Sequence, residues 1–184
     1  MRPLVIAAAA SEVAHLPADV PVVITGIGKT AAAVATTRAL AGLGRLDDVV
    51  VVNLGTAGAL RDGLTGLHEP VAVLNHDISA DAIRTLGHDA RERLTLRSGA
   101  GPVLASGDLF VSDPVVRDEL ARRADLVDME AYAVAYACAE FGVPLRVLKH
   151  VSDNADEGAL EWASLVDRSA RELAAGLAEL LASL

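Results

Sequence analysis

The sequence predicts an α/β fold: a single domain over residues 1–184, a three-layer sandwich with a central mixed, mostly parallel sheet flanked by helices. Three observations predict it. Apolar, β-branched runs alternate along the chain with Ala-rich segments of helical period. The composition is 52% hydrophobic but only 3% aromatic, which suits strands buried on both faces beneath Ala-rich helices. A chain of 184 residues is long enough to bury one substantial core. No internal repeat or linker interrupts the alternation.

Residues 4–8 read as the first buried strand. With the alanines that follow they faintly resemble a signal peptide, but the apolar run is short and is broken by Glu12 and His15. Residues 20–25 form a second short strand. Residues 29–43 place Ala31, Val34, Ala35, Ala39 and Leu43 at helical spacing. Residues 49–54 are continuously apolar, the mark of a central strand, and Gly55, Gly58 and Gly63 then mark turns. Residues 67–74 read as one strand. The polar stretch 75–100 has weak periodicity and is expected to be a loop with a short helix. Residues 102–106 resume as a strand. Asp113 is placed to cap a helix that has Pro114 at its first position and runs to about residue 123. A short strand, 126–128, leads into a helix over 130–141 ended by Gly142. Residues 144–151 form a strand, and 160–184 a long helix with Leu165, Leu173, Leu177, Leu180 and Leu181 as its apolar stripe.

Charge and composition exclude several functions. The formal charge is −9, from 25 acids against 16 bases, with no Lys/Arg cluster, so nucleic-acid binding is not expected. No run approaches the roughly 18 apolar residues of a membrane span. The single cysteine, Cys138, cannot form an internal disulfide and reads as a small buried hydrophobe. A reducing, cytoplasmic location fits. The five histidines have no metal-ligand spacing, so no metal is expected, and no organic cofactor is expected either. Gly26-Ile27-Gly28-Lys29-Thr30 imitates a phosphate-cradling loop, but the glycine such a loop needs five residues before Gly28 is Val23. It reads as a strand-to-helix turn whose helix N-terminus could border an oxygen-rich ligand.

The chemistry is concentrated where two strands give out. Leu126-Val127-Asp128-Met129-Glu130 and Val151-Ser152-Asp153-Asn154 each put a carboxylate beyond an apolar run. Ligands of α/β sheets bind beyond the carboxyl ends of strands. One acid there can hold a polyol and the other can move a proton. Taken singly, Glu130 fits equally well as a first-turn acid favoured by the helix dipole. Asp153 fits equally well as an N-cap or Asx-turn residue. Glu12 alone reads as an acid that caps or solvates a helix start. Met129 and Phe110 alone read as core, and Thr56 as a turn residue.

Several stretches in shared order resemble the purine nucleoside phosphorylase/uridine phosphorylase superfamily, and within it the 5′-methylthioadenosine/S-adenosylhomocysteine nucleosidases. They are Ser11-Glu12-Val13, Thr25-Gly26-Ile27-Gly28-Lys29, Asn53-Leu54-Gly55-Thr56-Ala57-Gly58, Ser106-Gly107-Asp108-Leu109-Phe110-Val111, Asp128-Met129-Glu130-Ala131 and Val151-Ser152-Asp153-Asn154-Ala155-Asp156. The resemblance implies a nucleoside phosphorylase-like fold and a homodimer. It makes Asp153 the acid that protonates purine N7, with Ser152 orienting it. Glu130 would bind the ribose hydroxyls and Met129 pack against the sugar. Phe110 would stack on the base, Val111 read the adenine edge, and Glu12 activate or orient the attacking water. Thr56, Ala57 and Gly58 would line the pocket.

The chain also departs from that pattern. It is shorter than is usual for the family, and the stretch after His76-Asp77 lacks the aromatics that in relatives shape the pocket for the 5′ substituent. Lys149 stands where the nucleosidases typically carry an arginine. A phosphorolytic site calls for arginine to neutralise phosphate. None occurs between Pro3 and Thr37 or in the 53–60 loop, so water is the expected nucleophile. The sequence thus predicts a nucleosidase that releases the base of a purine nucleoside, 5′-methylthioadenosine, S-adenosylhomocysteine or a related 5′-substituted adenosine. The alternatives are a purine nucleoside phosphorylase, a futalosine-type hydrolase, or a nucleoside-binding protein that has kept the fold without catalysis.

Overall fold

In the computed structural model, residues 1–156 and 162–183 are described. Five strands and a turn build the central region. These are β1 (Arg2–Ala7), β2 (Val22–Ile24), β3 (Val49–Ala59), β4 (Leu67–His68) and β5 (Ala72–Asn75), with a 3-10 turn at Ala10–Val13 and helix α1 (Lys29–Gly42) between them. Helix α2 (Ala80–Thr85), β6 (Arg93–Thr95), β7 (Val103–Ser106), α3 (Pro114–Leu120), β8 (Leu126–Asp128), α4 (Ala131–Phe141), β9 (Leu145–Asp153) and α5 (Trp162–Ala182) follow. The strands make one mixed sheet in the order β2-β1-β3-β8-β7-β5-β6, with β9 beside β3 and β4 beside β9. Five of its pairings are parallel (β1–β2, β1–β3, β3–β9, β5–β7 and β7–β8), and three are antiparallel.

Period-2 alternation gives the sheet its two buried faces. Leu4, Ile6, Val49 and Val51 pack with Ala32 and Leu40 of α1 and with Val134 and Cys138 of α4. Val5, Val52, Leu54 and Leu148 face the other way, onto Leu173, Leu177 and Leu180 of α5. The result is helix, sheet, helix, as the sequence predicts. Cys138 is buried, and burial pushes its thiol up to about 12. Asp113 caps α3 by accepting the Val115 N–H at 2.8 Å, and Gly142 ends α4 at φ 65°. The first two residues of the predicted C-terminal helix, 160 and 161, and its last, 184, lie outside the described residues.

Four expectations are corrected. The run 67–74 is two strands, because Glu69-Pro70 interrupts it and proline has no N–H for a ladder. The polar stretch 75–100 contains β6, antiparallel to β5, besides the short helix. That strand is only three residues long and lies at the sheet's edge, so it leaves almost no periodic trace. Helix α1 buries Ala32, Thr36 and Leu40, while the predicted Val34 is exposed. An Ala-rich helix is apolar on most sides, so its period cannot select a face. The fourth correction positions the site. Strand β3 does not stop before Gly55 but runs on to Ala59.

Candidate active site

The extension of β3 stays paired with β9 as far as Gly58 and with β8 at Gly58 and Ala59, and its glycines admit groups that cross it closely. A Cβ on Gly55 would stand 2.9 Å from Glu12 Oε1 and 3.3 Å from Lys149 Nζ. A Cβ on Gly58 would stand 2.9 Å from the Ala155 Cβ and 3.0 Å from Asp153 Oδ1. Glycine inside a strand marks such an approach. The register shifts between Ala57 and Gly58, where β9 ends on Asp153. Around this bulge the ends of β1, β7, β8 and β9 converge on one cavity of about 450 Å³, within the range of small-molecule sites. All ten residues singled out in the sequence line it: Glu12, Thr56, Ala57, Gly58, Phe110, Val111, Met129, Glu130, Ser152 and Asp153.

Glu12 lies in the 3-10 turn after β1 and is only 3% exposed. Its Oε1 accepts the Thr56 N–H at 2.7 Å and the Thr56 hydroxyl at 2.9 Å. Its Oε2 accepts the Ala9 N–H at 3.1 Å. The capping role read from the sequence and a place in the cavity are therefore both realised. The carboxylate also fills a set of donors that would otherwise suit an anion.

Glu130 is the N-cap residue of α4, and its Oε1 accepts the Gly28 N–H at 2.8 Å. Burial, then the neighbouring Asp128 charge, push its carboxyl up to about 7, against the pull of Lys149 and Gly28. Beneath it lies a pair the sequence reading did not assemble. Lys149 Nζ meets Asp128 Oδ2 at 2.8 Å, each side chain 2% exposed. Asp128 also accepts the Ser106 hydroxyl and, at 3.0 Å, the Ala131 N–H, while Ser106 Oγ accepts the Tyr132 N–H at 3.0 Å. Burial opposes the lysine's charge, yet Asp128, Glu12 and Glu130 together raise its pKa above the usual lysine value. The lysine is thus the buried counterion of three acids. Its signal in the sequence was a lone cation inside an apolar strand, which by itself names no partner.

Asp153 combines an Asx turn with a place in the cavity. Its Oδ1 accepts the Ala155 N–H at 2.8 Å, and its Oδ2 accepts the Ser152 hydroxyl at 2.6 Å. Ala155, at φ 52°, holds the left-handed conformation that closes this turn and is itself buried. On the loop after β7, Val111 is buried beside Leu60, Leu74 and Val127. Phe110 is not core, and Leu109 and Ile27 are exposed near it as further lining. Among the described residues no cluster of three or more His, Cys, Asp or Glu is arranged to hold a metal ion, and no helix is long and apolar enough to cross a membrane.

This fold and cavity define a class: a mixed sheet covered on both faces, with an acid-lined pocket where its strands end. The chain belongs to the phosphorylase superfamily, whose family model matches residues 68–184. That match contains Phe110, Glu130 and Asp153 but not Glu12 or Thr56. The aminodeoxyfutalosine nucleosidase of Helicobacter pylori is 39% identical over 83 residues, 44% of this chain and 35% of the relative. The chain therefore aligns with about a third of that relative's length. The 5′-methylthioadenosine/S-adenosylhomocysteine nucleosidase of a Shewanella species is 29% identical over 163 residues, 75% of this chain and 69% of the relative. The fold is that of the Neisseria meningitidis 5′-methylthioadenosine/S-adenosylhomocysteine nucleosidase solved with methylthio-immucillin-A (TM-score 0.85, 24% identity, all of both chains covered). It is equally that of the futalosine hydrolase of H. pylori (TM-score 0.84, 23% identity, 99% of this chain and 97% of that chain).

Proposed function

We propose that the protein is a nucleosidase that hydrolyses the N-glycosidic bond of a purine nucleoside, with a 5′-substituted adenosine such as 5′-methylthioadenosine or S-adenosylhomocysteine as substrate. The observation that carries the proposal is the convergence of Glu12, Glu130 and Asp153 on one cavity that Phe110 and Val111 also line.

The chemistry follows from what each atom can do. Breaking the bond between C1′ and N9 sends its electron pair to the purine, which leaves poorly as an anion. Asp153 delivers a proton to N7, and the Ser152 hydroxyl, donating to Oδ2, holds the carboxyl in place. The sugar passes through an oxocarbenium-like state, which the charges of Glu12 and Glu130 stabilise. Glu130 accepts hydrogen bonds from the ribose hydroxyls, and Met129 packs against the ring. Water adds to C1′ and yields its proton to Glu12. The base stacks on Phe110, and the backbone at Val111 reads its edge. Thr56, Ala57 and Gly58 line the floor.

Hydrolysis is favoured over phosphorolysis by Glu12 itself. Its carboxylate takes the Thr56 and Ala9 donors that a phosphate would need, and a second anion beside it would be repelled. A futalosine-type substrate is the second reading, favoured by the 39% identity to the aminodeoxyfutalosine nucleosidase. We place the protein in the cytoplasm as a homodimer acting in nucleoside catabolism and methionine salvage. The exposed Ile27, Leu109 and Phe110 beside the cavity are apolar surface that a second copy could cover. A panel of nucleosides, assayed with and without phosphate for released base, tests the reading. Adenine released from 5′-methylthioadenosine without phosphate supports it. Dependence on phosphate would favour a phosphorylase, and binding without release a non-catalytic protein.

A further inference from the structure

In the Gly26-Ile27-Gly28-Lys29-Thr30 turn, Lys29 has no task in a mechanism run by Glu12, Glu130 and Asp153, yet it is firmly held. Lys29 Nζ donates to Asn75 Oδ1 at 2.8 Å and pairs with Asp77. Asp77 Oδ2 accepts the backbone N–H of Asp108 at 2.8 Å. Asp108 Oδ1 in turn accepts the backbone N–H of Lys29 at 2.7 Å, and its other oxygen lies 4.0 Å from Lys29 Nζ. Lys29, Asp77 and Asp108 thus form a closed ring of one ion pair, Lys29 to Asp77, and two carboxylate–backbone hydrogen bonds. Asp108 sits two residues before Phe110, on the loop that supplies Leu109, Phe110 and Val111 to the cavity.

The preceding residue gives the ring its meaning. Gly28 donates its N–H to Glu130 at 2.8 Å. The end of α1 therefore receives one carboxylate from each wall of the cavity: Glu130 from the acid wall through Gly28, and Asp108 from the apolar wall through Lys29. Positive partial charge at a helix N-terminus favours both. The packing leaves no slack, because Gly28 has φ +96° and a Cβ there would stand 3.0 Å from Asp108 Oδ1.

We propose that Lys29 is a positioning residue for the purine: its ammonium, through Asp77 and Asp108, holds the loop bearing Phe110 and Val111 in register with Glu130. The proposal rests on the nucleosidase reading above, and its test separates the two. Lys29→Met keeps most of the side-chain stem and removes the charge. Charge-assisted hydrogen bonds are the stronger kind, so KM for 5′-methylthioadenosine and Kd for free adenine should both rise about tenfold. kcat should fall much less, and Lys29→Arg should restore most of the loss. Asp77→Asn should show the same split, and it carries the test if Lys29→Met does not fold. Amide exchange at Asp108 in the unliganded protein should quicken in both variants. If the wild-type protein cleaves no nucleoside, the functional reading fails while the exchange measurement still judges the ring. Unchanged exchange at Asp108 with unchanged KM would overturn the proposal, and so would a loss of kcat with KM and adenine affinity untouched.

Discussion

Glu12, Asp128 and Glu130 on the acid wall of the cavity, and Lys149 behind it, are between 2% and 8% exposed, whereas Ile27, Leu109 and Phe110 on the apolar wall are 47% to 63% exposed. The acid wall is complete by itself: each carboxylate already accepts hydrogen bonds from the protein, and one buried cation serves three acids. The apolar wall is exposed surface, and in the proposed function it is where the purine ring is held. The difference teaches where the binding energy and the catalytic charge reside. Fixed, dry dipoles are worth most where charge develops during reaction. Exposed aromatic surface is worth most where a flat, uncharged ring must be held.

Substitutions on the two walls should therefore fail in different ways. Asp153→Asn should reduce kcat by on the order of 10²–10⁴-fold while leaving the thermal transition close to wild type, because it removes the proton but keeps the shape. Wild-type turnover in that variant would remove Asp153 from the acid's role. Lys149→Met should act on stability before anything else. It leaves Asp128 buried without its cation, a loss of about 3–5 kcal/mol for broken buried pairs, to be read by urea denaturation. A midpoint within error of wild type would mean that the pair contributes little.

The Glu130 carboxyl adds a pH signature. With its pKa raised to about 7, the free protein loses the ionised acceptor as pH falls below that value. kcat/KM should then decline about tenfold per pH unit on the acid side. Stability should move the opposite way. The folded state keeps a proton that the unfolded chain releases, so Glu130's contribution is fully present below pH 4.5 and is lost as pH rises through about 7. Glu130→Gln should flatten both profiles. On the apolar wall, Phe110→Ala should raise KM by about tenfold, since stacking a base on an aromatic ring is worth roughly 1–3 kcal/mol. Its kcat should change little. A fall in kcat with KM preserved would place Phe110 in the chemistry instead.

Much of this site was legible before any coordinates, because its residues sit at the ends of short apolar runs and strand ends can be read from hydropathy. Glu130 and Asp153 are legible that way, while Phe110 and Glu12 come only from the resemblance carried by the shared order of the motifs. What stayed hidden depends on neighbours distant in the chain. Gly55 and Gly58 read as turns because glycine usually ends a strand, and only the pairing with β9 and β8 shows that β3 continues through them, where they admit Glu12 and Asp153. The Lys149–Asp128 pair joins two strands that are not neighbours in the sheet. The buried face of α1 was ambiguous because alanine looks alike from every side, and β6 was too short to leave a period.

The central claim, that water ordered by Glu12 is the nucleophile, is tested most directly by the sugar product. The protein should be run on 5′-methylthioadenosine in heavy-oxygen water with inorganic phosphate present, and the product weighed by mass spectrometry. The account predicts free adenine and an unphosphorylated 5-methylthioribose carrying one heavy oxygen. A sugar 1-phosphate without the label would contradict it.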